Sequence, residues 1–202
     1  HSSFEQKQLK HALDFATSNR LELEILLQHY TYDSLKLEAA KFLIRNMPHC
    51  YSYQQGGEMD SVKRVRTYYS PFGQIDQTYA RRWGHYTYRN LPKIYDAHII
   101  TAEYLIDNID RAFDNWQKRP WNRSLSFEDF CEYLLPYRIG DEPLEEWREL
   151  YEKKYGYLLD SIYKGSDVVE AANLVSRHLQ EPVFIYCEDF ELPHIGPRYL
   201  FS

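Results

Sequence analysis

Apolar residues recur at helical spacing along most of this chain, and the clearest run lies near its middle. Between residues 102 and 116 an apolar side chain falls every three or four positions, which is the spacing of one face of an α-helix. Acidic side chains with the same spacing lie on the opposite face. We therefore predict a central amphipathic helix, with apolar residues Ala102, Leu105, Ile106, Ile109, Ala112, Phe113 and Trp116 and acids Glu103, Asp107, Asp110 and Asp114.

The first 48 residues predict three short helices on short links. Asn19 followed by Glu22 is predicted to cap the second helix and Asp33 the third, because short polar side chains accept hydrogen bonds from the first free amides of a helix. Met47-Pro48 is predicted to end the third helix. Helices this short are marginal alone, so we expect an antiparallel bundle. Their apolar faces are Phe4, Leu9, Ala12, Leu13 and Ala16; Leu23, Leu26, Leu27 and Tyr30; and Leu35, Ala39, Phe42 and Leu43.

A helix-turn-helix is predicted after the central helix. Ser126 with an acid at Asp129 forms a capping box, and Pro136 stops the helix that follows it. The second helix is predicted to start at Asp141-Glu142-Pro143, where the missing N–H of proline costs least, and to end at Gly156. The apolar faces are Phe127, Phe130, Cys131 and Leu134, and then Leu144, Trp147, Tyr151 and Tyr155; the link between the helices is Tyr137-Arg138-Ile139-Gly140.

These patterns predict a mainly α protein, an irregular multi-helix bundle with a helix-turn-helix core. Asp167 with Glu170 predicts one more helix. The short β-branched and aromatic run Pro182–Tyr186 predicts a strand near the C terminus. The predicted boundaries are residues 1–202 for a single helical domain, 1–48 and 91–180 for two subdomains, and 181–202 for a linker.

Composition and net charge limit the classes of partner that the chain can be expected to bind. The net charge of −6 argues against nucleic acid and against an anionic membrane as a general partner. No apolar run reaches the roughly 18 residues that a transmembrane helix needs. Basic residues interleave with aromatic ones between Lys63 and Arg89, a pattern that can bind single-stranded nucleic acid or a glycan. With this net charge we prefer arginines that stack on rings within an irregular connector.

No catalytic residue, metal site or cofactor is predicted from the residues. A nucleophilic cysteine needs a helix start or an imidazolium to stabilise its thiolate. Cys131 lies on the inner face of its helix, and Cys187 precedes two acids. Cys50 follows His49, but adjacent side chains on an extended chain point to opposite faces. The chain has neither an HExxH nor a Cys-x-x-Cys motif.

Several segments of the chain resemble one family. They are Ala39–Pro48, Thr101–Ile109, Trp116, Pro120-Trp121, Leu125–Arg138, Glu142–Leu144 and Trp147-Arg148, and the part from LPYR to EPLE is the most specific. The chain is similar here to bacterial exported proteins in which a long helical region precedes a transglutaminase-like (papain-like) domain.

The resemblance implies a function. The chain would be a non-catalytic N-terminal helical domain that supports a downstream catalytic domain and its substrate cleft. The family chemistry is thiol-based acyl transfer or amide hydrolysis, and the resemblance places its catalytic Gly-x-Cys segment, with the histidine and acid that follow, beyond Ser202. It also implies export to the periplasm or cell surface, with or without a lipid anchor. Composition alone is equally consistent with the cytoplasm.

The best candidates for a binding surface are Trp116, Trp121, Tyr137 and Arg138. Rings and an arginine beside a helix break can face a groove and contact the catalytic domain or a protein, peptide or glycan substrate. In the competing interpretation both tryptophans lie in the core, and Arg138 bonds the carbonyls left free by Pro136 and an acid such as Glu142. The alternative function is a free-standing module that binds a glycan or peptide through exposed tyrosines and tryptophans.

Overall fold

The computed structural model describes residues 3–54, 91–119, 122, 124–138, 140, 143–161, 169–170 and 173. This part of the chain is mainly α-helical, as predicted, with one small antiparallel sheet. The predicted strand at Pro182–Tyr186, the linker at 181–202, the cap at Asp167 and the basic and aromatic stretch from Lys63 to Arg89 lie outside the described residues.

The described elements follow one another as three helices, a strand pair and three further helical segments. In the sheet, Tyr51 lies opposite Tyr95 and Tyr53 opposite Lys93. The helices are α1 (Ser3–Phe15), α2 (Arg20–His29), α3 (Ser34–Asn46), α4 (Ala102–Lys118), the single turn α5 (Phe127–Asp129) and α6 (Trp147–Ser161); the strands are β1 (Tyr51–Tyr53) and β2 (Lys93–Tyr95).

The first three helices pack against one another, and α2 and α3 also contact α4. Two of the sequence signals are confirmed. The Asp33 side chain accepts a hydrogen bond from the Lys36 amide at 3.1 Å and caps α3, and α3 ends at Asn46, just before Pro48. The shared core removes large apolar side chains from water, which is the main stabilising contribution in a bundle of this size. Its fully buried members include Leu23, Leu26, Ile44, Met47, Leu105 and Ile109.

Two predicted apolar positions are wrong. Phe4 is 66% exposed and Leu35 is also exposed, whereas Ala12 and Leu13 are buried as predicted. Both misplaced residues lie in the first turn of their helix. A periodic pattern shows which face of a helix is apolar, but it does not show where along the helix the neighbouring elements end.

The predicted cap of α2 by Asn19 is also wrong. No side-chain hydrogen bond caps this helix. The Asn19 amide nitrogen instead donates to the carbonyls of Ala97 and Ile100, at 3.1 and 2.8 Å. Glu22 accepts the Ala102 amide at 2.7 Å, so a side chain of α2 serves the first amide of α4. Both side chains bond the segment that leads into α4. For Asn19, this distant partner replaces the predicted contact with its own helix.

The central helix is confirmed, with Thr101 as its cap at 3.2 Å from the Tyr104 amide. One of its acids, Asp110, also bonds residues of the neighbouring helices. The Asp110 carboxylate accepts hydrogen bonds from the Tyr30 hydroxyl and the Lys36 ammonium, each at 2.8 Å. Asp110 therefore ties α4 to the ends of α2 and α3.

The helix after the capping box begins as predicted and then changes geometry. Ser126 Oγ accepts the Asp129 amide at 3.1 Å. From Phe130 to Leu134 the chain forms a π-turn, closed by the Leu135 amide donating to Phe130 O at 2.9 Å. A π-turn spaces its hydrogen bonds five residues apart instead of four. Leu135 is consequently the fully buried residue, and Leu134 is only partly buried.

Both predicted ends of α6 are wrong. The helix begins at Trp147 and continues through Gly156 to Ser161, while residues 143–146 are irregular. The Glu145 carbonyl accepts the Tyr104 hydroxyl at 2.8 Å, a tertiary contact that holds this segment outside the helix. Leu158, beyond the glycine, is 2% exposed. Its burial favours a continuing helix over the roughly 1 kcal/mol cost of an internal glycine.

Asn19→Ala should destabilise the protein, because two partly buried carbonyls lose their donor. We expect the free energy of unfolding to fall by about 1–3 kcal/mol in urea denaturation. Ser18→Ala, at the exposed neighbouring position, is the control and should leave it unchanged. Equal stability of the two variants would contradict the structural role of Asn19.

Candidate functional site

The bend between α5 and α6 is held by a carboxylate that has no contact with water. Asp96 follows β2 directly and is fully buried. Tyr137 donates its hydroxyl to Asp96 Oδ2 at 3.0 Å, and Arg138 Nη2 donates to Oδ1 at 3.0 Å. Arg138 Nε forms an ion pair with Oδ2 at 2.6 Å, although its N–H does not point along a hydrogen bond. We call Asp96, Tyr137 and Arg138 the Asp96 cluster.

Arg138 also binds backbone carbonyls on two different segments. Its Nη1 donates to Tyr51 O at 2.8 Å and to Gly140 O at 2.6 Å. Gly140 has φ of +60°, a left-handed conformation that suits glycine and turns the chain back toward the arginine. The side chain of Arg138 is only 7% exposed. One guanidinium therefore connects β1, the turn after β2 and the bend.

The carbonyls around Pro136 are bonded by a different arginine from the one predicted. Arg148 Nη2 donates to Pro136 O at 3.1 Å and also to Leu134 O. Arg148 Nε donates to Asn108 Oδ1 at 2.6 Å, and the Asn108 amide donates to Leu135 O at 2.8 Å. The prediction that Arg138 bonds these carbonyls is therefore wrong, since Arg138 is directed to Asp96, Tyr51 O and Gly140 O instead. Glu142, the predicted partner of Arg138, lies outside the described residues.

Burial shifts the acid–base behaviour of these groups. It raises the pKa of the Asp96 carboxyl, against the opposing effect of the Arg138 charge and the Tyr137 hydroxyl. It raises the pKa of Tyr137 well above its usual range. It lowers the pKa of Arg148 to about 10. A tyrosine that keeps its proton can donate a hydrogen bond permanently, which suits a fixed connection better than a proton transfer.

The two described cysteines have weakly acidic thiols, and Cys50 lies beside the Asp96 cluster. Burial, followed by the negative charge of Asp96, raises the pKa of Cys50 against the effects of Tyr137 and Arg138. Burial raises the pKa of Cys131 to about 11. Both thiols are therefore protonated at neutral pH, and a protonated thiol is a poor nucleophile.

The candidate residues from the sequence fall into two separate places. Tyr137 and Arg138 meet at Asp96. Trp116 lies in an aromatic cluster between α4 and α5, stacked on Phe130 with ring centroids 4.4 Å apart, and its Nε1 donates to Leu125 O at 3.3 Å. Trp121 lies outside the described residues. A binding role for these side chains stays a prediction.

A pocket of about 370 Å³ adjoins the bend, between α4 and the start of α6. Two of its rings are fixed by the bend itself. Tyr104 donates its hydroxyl to Tyr137 O at 3.1 Å, and Trp147 Nε1 donates to the same carbonyl at 2.8 Å. The Arg148 guanidinium stacks on the Trp147 ring at 4.4 Å. The lining is Thr101, Glu103, Tyr104, Asp107, Asn108, Arg111, Glu145, Glu146, Trp147, Arg148 and Glu149.

Carboxylates outnumber cations in this lining. It contains five acidic residues and the two arginines Arg111 and Arg148. The charge of Arg111 is already shared with Asp107 and Glu152. The pocket therefore suits a polar neutral or positively charged group better than an anion.

Sequence reasoning missed Asp96, Asn108 and Arg148 as members of this region. Asp96 follows a strand of only three residues and belongs to no periodic pattern. Asn108 lies on the buried face of α4, where the pattern was apolar. Arg148 was included in the family resemblance but carried no assigned role.

Two further findings concern only the described part of the chain. Within it, no group of three or more histidine, cysteine, aspartate or glutamate side chains is arranged to hold a metal ion. None of the helices described there combines the length and the hydropathy that crossing a membrane requires.

Comparison of the chain with protein-family models, with curated proteins and with solved structures finds no match.

Arg138→Ala should be strongly destabilising, because it leaves the Asp96 carboxylate buried without its counter-ion. We expect the free energy of unfolding to fall by about 3–5 kcal/mol, measured by thermal and urea denaturation. Arg111→Ala is the matched control, since its ion pairs lie at the surface and should contribute about 0–1 kcal/mol. An unchanged melting temperature for Arg138→Ala would argue for a binding role of this side chain instead.

Proposed function

We propose that this chain is a non-catalytic helical domain of a transglutaminase-like exported protein. It supports the catalytic domain of that protein and contributes a wall of the substrate cleft. The proposal starts from the sequence resemblance, whose most specific segment runs from LPYR to EPLE. The proposed substrate is a protein or peptide, and the proposed reaction is acyl transfer or amide hydrolysis at a thiol outside this chain.

The observation that carries the proposal is the buried Asp96 cluster, to which that segment contributes Tyr137 and Arg138. Tyr137 and Arg138 do not project as free side chains but lock the bend onto the turn after β2. The same bend positions Tyr104 and Trp147 at the neighbouring pocket. A cleft wall needs such a fixed surface, because side chains held in place lose little further freedom when a ligand binds.

The chemistry of the described thiols is consistent with a supporting role. The family reaction requires a thiolate, and burial favours the protonated form of both Cys50 and Cys131. The acidic pocket also complements a basic or neutral segment of a peptide better than an acidic one.

Thiol titration tests this chemistry. With Cys187→Ser as background, Cys50 and Cys131 are the remaining cysteines. Because burial raises both pKa values, we expect little thiolate absorbance in the ultraviolet below about pH 9, and titration of Cys131 with a pKa of about 11. The same chain unfolded in urea is the control, and its thiols should titrate in the usual range. A folded-state thiolate at neutral pH would argue against the supporting role.

Activity assays test the proposal directly. The chain alone should neither hydrolyse amide substrates nor transfer an acyl group to an amine. The longer polypeptide, which in the proposal carries the thiol, should do so. We expect Trp147→Phe in that longer protein to raise KM for a peptide more than it lowers kcat, because this ring lines the pocket. Activity of the chain alone would overturn the proposal.

A further inference from the structure

A second cavity, of about 240 Å³, has a basic lining, in contrast to the mainly acidic lining of the pocket beside the bend. We call it the α1–α3 groove. Its lining combines Lys7, Gln8 and His11 of α1 with Arg45 of α3 and Pro48 and His49 of the turn that follows α3. Four of these side chains carry or can gain a positive charge, and the lining contains no carboxylate. In a chain with net charge −6, this is a local reversal of sign.

The four basic residues form two pairs with helical spacing. Lys7 and His11 are four residues apart on α1, so their side chains lie on one face. Arg45 and His49 are also four residues apart, at the end of α3 and in the turn after it. Because α1 packs on α3, the two pairs meet in one groove. The groove therefore brings Lys7 and Arg45, two permanently basic side chains from different helices, to one cavity.

These charges have no counter-ion within the described part of the chain. No side-chain hydrogen bond or ion pair there involves Lys7, His11, Arg45 or His49. Other basic side chains of the same helices do have partners. Arg20 contacts Asp14 and Glu24, and Lys41 contacts Glu38.

The end of α3 does not account for the groove. Basic residues commonly serve the free carbonyls of a helix C terminus. Here the Phe42 carbonyl accepts a hydrogen bond from Nδ2 of the Asn46 side chain at 3.0 Å, and the Met47 carbonyl accepts one from the Cys50 backbone amide at 2.9 Å. Lys7 and His11 belong to α1, so half of the basic lining comes from a helix other than α3.

We propose that the α1–α3 groove binds a phosphate group, from either a soluble phosphoester or a phospholipid headgroup. A phosphate ester carries nearly two negative charges and three acceptor oxygens, which matches several converging donors better than a carboxylate with one charge. Arg45 offers two parallel donors to such a group, and Lys7 offers a compact charge. The Gln8 amide adds a neutral donor. This site is independent of the proposed supporting role, and it shares no lining residue with the pocket beside the bend.

Calorimetric titration of the full chain with inorganic pyrophosphate tests the site, with histidine ring resonances in NMR to localise it. Lys7→Gln and Arg45→Gln should each weaken binding about tenfold, since each removes a charged hydrogen-bond donor. Lys10→Gln is the control. It makes the same charge change at an exposed position of α1 outside the groove, and it should leave the affinity within about twofold.

Two results would overturn the proposal. One is the absence of saturable pyrophosphate binding by a folded chain. The other is an equal loss for Lys10→Gln and Lys7→Gln, which would indicate general charge attraction. Flotation with vesicles of phosphatidylcholine and phosphatidic acid separates the two sources. Retention that pyrophosphate displaces supports a lipid headgroup, and pyrophosphate binding without retention supports a soluble phosphoester. Melting temperatures establish that each variant is folded.

Discussion

The arrangement of the described chain depends on one buried ion pair, Asp96 with Arg138. Moving both charges out of water costs free energy. The attraction between them offsets this cost only because defined partners also satisfy their hydrogen bonds. Arg138 uses Tyr51 O and Gly140 O as well as the carboxylate, and Tyr137 adds its hydroxyl. Breaking the pair would leave the strand pair, the entry to α4 and the bend without their common connection.

Around this pair, side chains bond backbone carbonyls that backbone amides would bond in regular secondary structure. The π-turn and the irregular segment after it leave several carbonyls outside any helical ladder. Asn108 and Arg148 bond the carbonyls of residues 134–136, while Tyr104 and Trp147 bond that of Tyr137. Buried backbone groups need partners, and here they come from α4 and the first turn of α6. The bend is consequently shaped by residues on both sides of it.

Local signals predicted the helices whose ends are decided locally. Asp33 caps α3, Ser126 caps α5, and the apolar pattern from Ala102 onward identified α4 with its buried face. These features depend on residues within a few positions of one another. Much of the mainly α architecture therefore followed from the sequence.

Most of the errors have a different origin, because tertiary contacts or a local change of helix type overrode the local signal. Asn19 found carbonyls near α4 instead of its own helix, and Gly156 stayed helical because Leu158 beyond it is buried. Leu135 replaced Leu134 in the core through the π-turn. The candidate site was found only in part for the same reason. Tyr137 and Arg138 stood out beside a proline, but their partner Asp96 is 41 and 42 residues away.

The contact between Glu22 and the Ala102 amide spans 80 residues of sequence. Contacts this distant form late in folding, since a long loop must close before they contribute. The first three helices share their core with α4, so they cannot finish packing while α4 is still missing. During synthesis at roughly 5–20 residues per second, the amino-terminal helices must therefore wait several seconds with part of their apolar surface uncovered. The surface that later forms the protein core is, for that interval, one that a chaperone can bind.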